Sequence, residues 1–299
     1  MEQHNEIEYK RPFFDGANHS VTMGDGELVV LEPFQDFNNR VFVKCDLSRL
    51  SLTSCNFSGC QFIDCQAEYT DFSHSDFTGA VFINSNFSGS AFLWGTLYRA
   101  QFQDCNLNVA RFNNAKMQRI QFDTCTLKKS QFKDSVLTKS LFKKCMLDNC
   151  FMSKSDIRNS TFEEVSAKEQ QWLLSAVDLS GSKFFKCYTE HLGAVKCVFK
   201  YVFFDQTNLW KSKFHMCTFA HSLFVHTGFN ESKFKKCLFI SSEFEACRLR
   251  LTNFDGSIFE QNKIAISSLE SSDFSSSIIF SMELVDNYDG IGTEFPYCY

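Results

Sequence analysis

The stretch SCNFSGCQFIDC, residues 54–65, sets Cys55, Cys60 and Cys65 five residues apart, each two residues ahead of Phe57, Phe62 or Ala67. Three clustered cysteines raise the question of a metal site or a disulfide framework. The same step of five continues far beyond them. Counting by fives from Phe42 gives 25 consecutive positions, ending at Phe162, that are all Phe, Leu, Met, Ile or Ala. A second series of 22 positions runs from Leu179 to Leu284, and Thr189 is its one exception. Together the two series take 27 of the 36 phenylalanines.

The position two before each centre is small: Cys55, Cys60, Cys65, Thr70, Ser75, Ala80 and Ser85 in one run. The residue between is often Asp, Asn, Thr or Lys, and the two after the centre are mostly polar. Neither the 3.6-residue helical period nor the two-residue strand period divides five. A square coil does satisfy the pattern. Each unit forms one side, its centre and its small residue pointing inward, so that twenty residues close a coil and coils stack at about 4.8 Å.

Reading every twentieth residue tests this. Phe42, Phe62, Phe82, Phe102, Phe122, Phe142 and Phe162 fall in one column, and Leu52, Phe72, Phe92, Phe112, Phe132 and Met152 in another. In the second series Phe199, Phe219, Phe239 and Phe259 align likewise. Like stacks on like, and these columns form the expected structural core.

The units SCNFS, HSDFT, NSNFS and SSDFS resemble the A(D/N)Lxx motif of the pentapeptide-repeat family, with Phe as the centre, over about residues 40–286. That resemblance implies an all-β, right-handed quadrilateral β-helix of about 11–12 coils, each advancing about 4.8 Å. The expected divisions are an N-terminal cap over 1–39, a first register over 40–164, an insert over 165–176, a second register over 177–286 and a C-terminal cap or tail over 287–299. Within the cap, GELVVLEPF reads as an edge strand. The insert contains Ser166-Ala167-Lys168-Glu169, a capping-box pattern ahead of an apolar stretch, and reads as a short helix or a loop. It either corrects the phase or protrudes as a recognition element, which makes Trp172 and Leu173 candidate interaction residues. The aromatic tail, with Phe295 and Tyr297, either folds over the last coil or supports end-to-end dimerisation, as the resemblance implies.

Thirteen of the 14 cysteines occupy the small inward position. A ladder of parallel thiols does not supply the convergent tetrahedral ligands of a zinc site, and free Cys packs as a small hydrophobe. His215, His221 and His226 are expected on different sides of the rod, too divergent to share a metal. No nucleotide-binding or hydrolase motif occurs, so no cofactor and no enzymatic activity is expected. Lys128, Lys129, Lys143, Lys144, Lys233, Lys235 and Lys236 fall on several sides and read as a solvated surface.

The net charge of −5 is uneven: residues 101–256 hold 23 Lys/Arg against 15 Asp/Glu, and the two ends together hold 7 against 20. The opening MEQHNEIEYK has no apolar core of a signal peptide, no apolar run is long enough to span a membrane, and so many free thiols suit a reducing compartment. The expected location is therefore cytoplasmic, with a secreted effector as the alternative. The expected function is a rigid protein-interaction rod whose partner is protein, not nucleic acid. Resemblance to the quinolone-resistance (Qnr-type) group implies an alternative, a DNA mimic that binds DNA gyrase, although the basic middle departs from the acidic surface of such mimics. A secreted effector that binds a host protein is a further alternative.

Overall fold

The computed structural model describes residues 20–22, 28–169, 171–288 and 290–296. Its backbone turns a corner every five residues and closes a coil every four corners, giving a right-handed quadrilateral β-helix of about twelve turns. Face I carries the centres Phe42, Phe62, Phe82 and their successors. Its strands, from Val41–Val43 to Met282–Val285, form one 13-stranded parallel sheet. Face II follows Leu47, Face III follows Leu52 and Face IV follows Phe57. Much of these three faces is built of single parallel bridges such as Asp46↔Gln66 and Asp76↔Thr96. Regular strands appear on Face III from Gln131–Lys133 and on Face IV from Val198–Lys200.

The five-residue unit has a physical reason at each position. The centres are buried and stack coil on coil, with ring separations of 4.7 Å for Phe42–Phe62 and 4.6 Å for Phe162–Phe184. Such offset aromatic pairs add roughly 0.5–1.5 kcal/mol each beyond the area they bury. The small inward residue fits beside the ring, and its hydroxyl or thiol donates to the carbonyl of a centre one coil below. Ser130 Oγ donates to the Leu107 carbonyl at 2.7 Å, and Cys65 Sγ to that of Phe42 at 3.3 Å. Asp or Asn just before the centre accepts from the amide two residues on, as Asn56 Oδ1 does from Ser58 at 3.0 Å and Asp76 Oδ1 from Thr78 at 2.8 Å. That short bond tightens the corner. The residue two after the centre then takes a positive φ at almost every corner, including Lys44 (53°), Trp94 (60°) and Val109 (62°).

Over 165–176 the described residues form no helix, whatever the capping-box pattern suggests. Ser166 bridges to both Met146 and Tyr188, and Leu173–Ser175 is a strand between Phe151–Ser153 and Gly193–Val195. Bridge partners are twenty residues apart before this corner and 22 apart across it, as in Phe162↔Phe184. The two extra residues are thus absorbed between Ala167 and Trp172, and the two series form one continuous sheet on Face I. A helix would have interrupted the inter-coil hydrogen bonds that Ala167 and Leu173 keep, to the carbonyls of Tyr188 and Cys150.

The repeat also runs beyond both of its expected ends. Phe37 is buried and stacks on Phe57 at 5.1 Å, so the coil begins before residue 40. Leu28–Val30 pairs antiparallel with Ser20–Thr22, and most of residues 1–27 lie outside the described residues. At the other end Tyr288 bridges Ser268, Glu294 bridges Asp273, and Phe295 stacks on Phe274 at 5.2 Å. The tail as far as residue 296 therefore continues the coil with one extra residue; it does not fold over the last one.

Candidate interaction surface

Side chains fill the interior along the rod, so chemistry directed at another molecule falls to the outer faces. The expected core residues Phe62, Phe82, Phe102, Phe122, Phe142, Phe199, Phe219 and Phe239 are all buried. The four candidate interaction residues separate. Trp172 is 0% exposed and cannot meet a partner. It occupies the small inward slot ahead of Leu174 and lies 5.4 Å from Phe162 and 6.5 Å from Phe184, on the opposite side of the coil. Its neighbour Leu173 points outward on Face III and is 38% exposed. Phe295 is partly exposed at the C-terminal end, and Tyr297 lies outside the described residues.

Trp172 accounts for three of the weakest centres in the sequence. Ala167 precedes it in the same coil, Thr189 follows Ala167 on Face II, and Ala194 follows Leu174 on Face III. Three small centres surround one oversized inward residue, which keeps the local volume close to that of a regular coil. The Trp172 Nε1 has no hydrogen-bond partner.

The thirteen described cysteines are free and buried. Burial pushes the thiols of Cys60, Cys145, Cys187 and Cys247 up to about 12. Cys45 goes the other way, to about 7, because the Cys65 thiol stacked on it favours its thiolate. Cys65 is raised correspondingly. Among the described residues no group of three or more His, Cys, Asp or Glu converges on a metal position. His215 sits on Face III, His221 stacks on Tyr201 at 5.0 Å at the corner after Face IV, and His226 approaches Asp205 at 3.8 Å at the corner after Face I.

The seven lysines noted in the sequence also divide by face. Lys128 and Lys129 belong to Face II and its corner, and Lys128 pairs with Glu169 at 3.2 Å. Lys143 and Lys144 lie on Face I and its corner. Lys233, Lys235 and Lys236 share Face III and its corner, where Lys213 and Lys196 join them. Sequence reasoning missed this gathering because Lys196 and Lys213 were not among the lysines it placed. It also left the first series unaligned with the second, so Phe151 and Leu173, 22 residues apart, did not appear as neighbours. No helix among the described residues is long and apolar enough to cross a membrane.

Comparison with known proteins agrees with this architecture. The family description "Pentapeptide repeat region" matches residues 75–152, and "Pentapeptide repeats (8 copies)" matches residues 36–65. Among solved structures, the chain is similar to HetL, a pentapeptide repeat protein involved in heterocyst differentiation regulation from the cyanobacterium Nostoc sp. It is 13% identical, over 88% of this chain and 90% of that one, with a TM-score of 0.28. Trypsin-treated QnrB1, a plasmid-mediated fluoroquinolone resistance protein, is 16% identical over 63% of this chain and 83% of its own, with a TM-score of 0.36. The periplasmic alginate epimerase AlgG is 8% identical over 83% of this chain and 78% of its own, with a TM-score of 0.44. The search of curated proteins gave no match. The matched stretches share their five-residue unit with the coils on either side: residues 36–65 and 75–152 are pentapeptide-repeat regions, and the rod carries the same unit beyond them.

Proposed function

We propose that the protein acts as a rigid rod that binds protein partners on its outer faces. The observation that carries this reading is the continuous packed interior, Phe on Phe from Phe42 to Phe244 along Face I. It holds the outward side chains on a fixed grid with about 4.8 Å between coils. Rigid grids of this kind are how solenoids recognise partners without ordering cost at binding. The test is affinity capture from the source lysate with the wild-type rod and with variants carrying single outward charges, such as Leu173→Glu and Ile240→Glu. A retained protein that one such variant loses, with circular dichroism unchanged, supports the reading. No protein retained above a blank matrix would overturn it.

One proposed partner is a second copy, joined through the C-terminal end. Support comes from Ile278, Phe280, Leu284, Ile291 and Phe295, which are exposed there, Phe280 by 73% and Ile291 by 84%. Apolar exposure this concentrated is typical of an interface. Sedimentation velocity should give twice the 34.5 kDa chain mass for the wild type. Phe280→Asp should return it to a monomer.

The gyrase reading requires acid along the rod, and the middle of this chain carries an excess of Lys and Arg. It is left to the acidic end coils. A supercoiling assay with DNA gyrase, with and without a fluoroquinolone, decides it: no protection and no inhibition removes it.

A further inference from the structure

Face III carries an apolar centre ringed by cations. Phe151 and Leu173 stack on successive coils, and on the coil after them Val195 stands two positions along, over Ser175; each of the three is exposed by between 36% and 40%. The outward residues among them are small: Ser153, Ser175 and Gly193. They leave a shallow trough beside the three side chains, and at Gly193 the Gln171 amide and the Leu173 side chain lean over the bare Cα, 2.5 and 2.9 Å from where a Cβ would stand. Lys133 lies below this centre, Lys154 and Lys196 line its corner, and Lys213, Lys233 and Lys235 lie above it, all exposed. Among the described residues only Lys235 of these six forms an ion pair, with Asp255 at 3.4 Å. At the edge of the trough a cavity of about 230 Å³ opens between the insert and the next two coils. Lys213, His191 and Lys211 face into it with Gln171 and Glu169, and Lys211 is drawn towards Glu231 at 3.6 Å.

We infer that this face docks an acidic protein segment with apolar anchor residues, lying extended along the rod. The inference rests on the interaction-rod reading and names its surface and the chemistry of its partner. The apolar centre selects against a bare polyanion, because Phe151, Leu173 and Val195 gain nothing from phosphate or carboxylate alone. The cations select against a neutral apolar segment, which would leave them desolvated and unpaired. Aliphatic anchors on the centre and carboxylates towards the lysines satisfy both, with the cavity receiving one acidic side chain. From Phe151 to Lys233 the face covers four coil steps, about 19 Å, the length of about six extended residues.

The experiment uses the full chain and a fluorescein-labelled heptapeptide of alternating Glu and Leu, followed by fluorescence anisotropy. Saturable binding is expected, weakened about tenfold by Leu173→Ser, a loss of about 1.4 kcal/mol. Lys213→Glu combined with Lys233→Glu should weaken it at least as much and flatten its dependence on salt. An all-Glu heptapeptide and a short DNA duplex should compete poorly, and so should phosphatidylserine vesicles. Absence of saturable binding overturns the proposal. So does binding that Leu173→Ser leaves unchanged, or that the all-Glu peptide, duplex or vesicles match. Circular dichroism melts confirm that each variant is folded. If affinity capture still retains a partner through another face, the rod reading stands and this surface falls.

Discussion

At most corners of the coil a residue with a side chain adopts the left-handed conformation that glycine adopts freely. Val109 does so at φ 62° and Thr124 at 55°, although branching at Cβ makes that region costly. Inter-coil hydrogen bonds hold the corner against this strain, as Val109 N does with the Lys128 carbonyl at 2.8 Å. Val109→Asn keeps that bond and places a residue better suited to positive φ at a partly exposed position. It should stabilise the rod by about 1 kcal/mol, seen as a raised midpoint in thermal melts. The buried thiols give a pH dependence. Folded Cys60, Cys145, Cys187 and Cys247 titrate at about 12, whereas an unfolded Cys titrates near 8.5. The unfolded chain therefore loses these protons first. Each thiol's contribution is complete below about pH 8.5 and is lost between about 8.5 and 12, at about 1.4 kcal/mol per pH unit. Urea midpoints measured in reductant from pH 7.5 to 10 should fall less steeply for the double variant Cys60→Ala/Cys145→Ala than for the wild type.

The corner between Ala167 and Trp172 is the one element whose shape follows from a single side chain. Elsewhere the inward slot holds Cys, Ser, Thr or another modest residue; here it holds an indole, and the coil is two residues longer. Deleting Glu169 and Gln170 restores the regular spacing but forces Trp172 into a regular slot. Overpacking should then destabilise the rod by about 1–3 kcal/mol or more. Adding Trp172→Ser to the deletion should recover most of that loss only when larger centres fill the space the indole leaves, as in Ala167→Leu with Ala194→Leu, and denaturant melts of the two variants against wild type measure the recovery. A second variant that recovers nothing would separate the insert from the indole. In the sequence this corner was legible only as a break in phase. The capping-box pattern of Ser166 and Glu169 pointed towards a helix because it reports local hydrogen-bonding preference, and the strand pairing of Leu173–Ser175 with its two neighbours prevails. Thr189 stood out as an exception and Ala167 and Ala194 passed as ordinary centres, but the residue all three compensate for lies at another point in the chain.

Over the whole molecule, the interior was legible almost completely and the grouping of the outward side chains hardly at all. Every fifth residue must be apolar to fill the square, so the core announces itself. Outward positions carry no such constraint, and their grouping depends on which coil lies above which. The two extra residues at Ala167–Trp172 hide that relation for Face III, where Leu173 was named in isolation. The coil length of twenty predicts how the rod tolerates change. Deleting residues 101–120 joins Ala100 to Gln121 and keeps every column, so that Phe122 follows Phe82. The product should fold to a rod shorter by one step, about 4.8 Å, measurable by small-angle X-ray scattering. Deleting the 18 residues 102–119 leaves Phe122 22 residues after Phe82, the spacing already present from Phe162 to Phe184, so this variant should also fold, with a lower midpoint in thermal melts than the 20-residue deletion.

The continuity of Face I past the insert has a consequence for variation and engineering. One corner takes up surplus chain while the sheet beside it pairs without a missing rung, from Phe142 to Phe162 to Phe184. Surplus length at that corner stays local, because the sides that flank it keep their inter-coil hydrogen bonds, Ala167 N to the Tyr188 carbonyl and Leu173 N to that of Cys150. Loop closure grows only with the logarithm of length, about 0.6 kcal/mol for each doubling. The stretch of chain between Ala167 and Trp172 is therefore a natural graft point, where a foreign peptide could be displayed from mid-rod beside a ready-made patch of lysines.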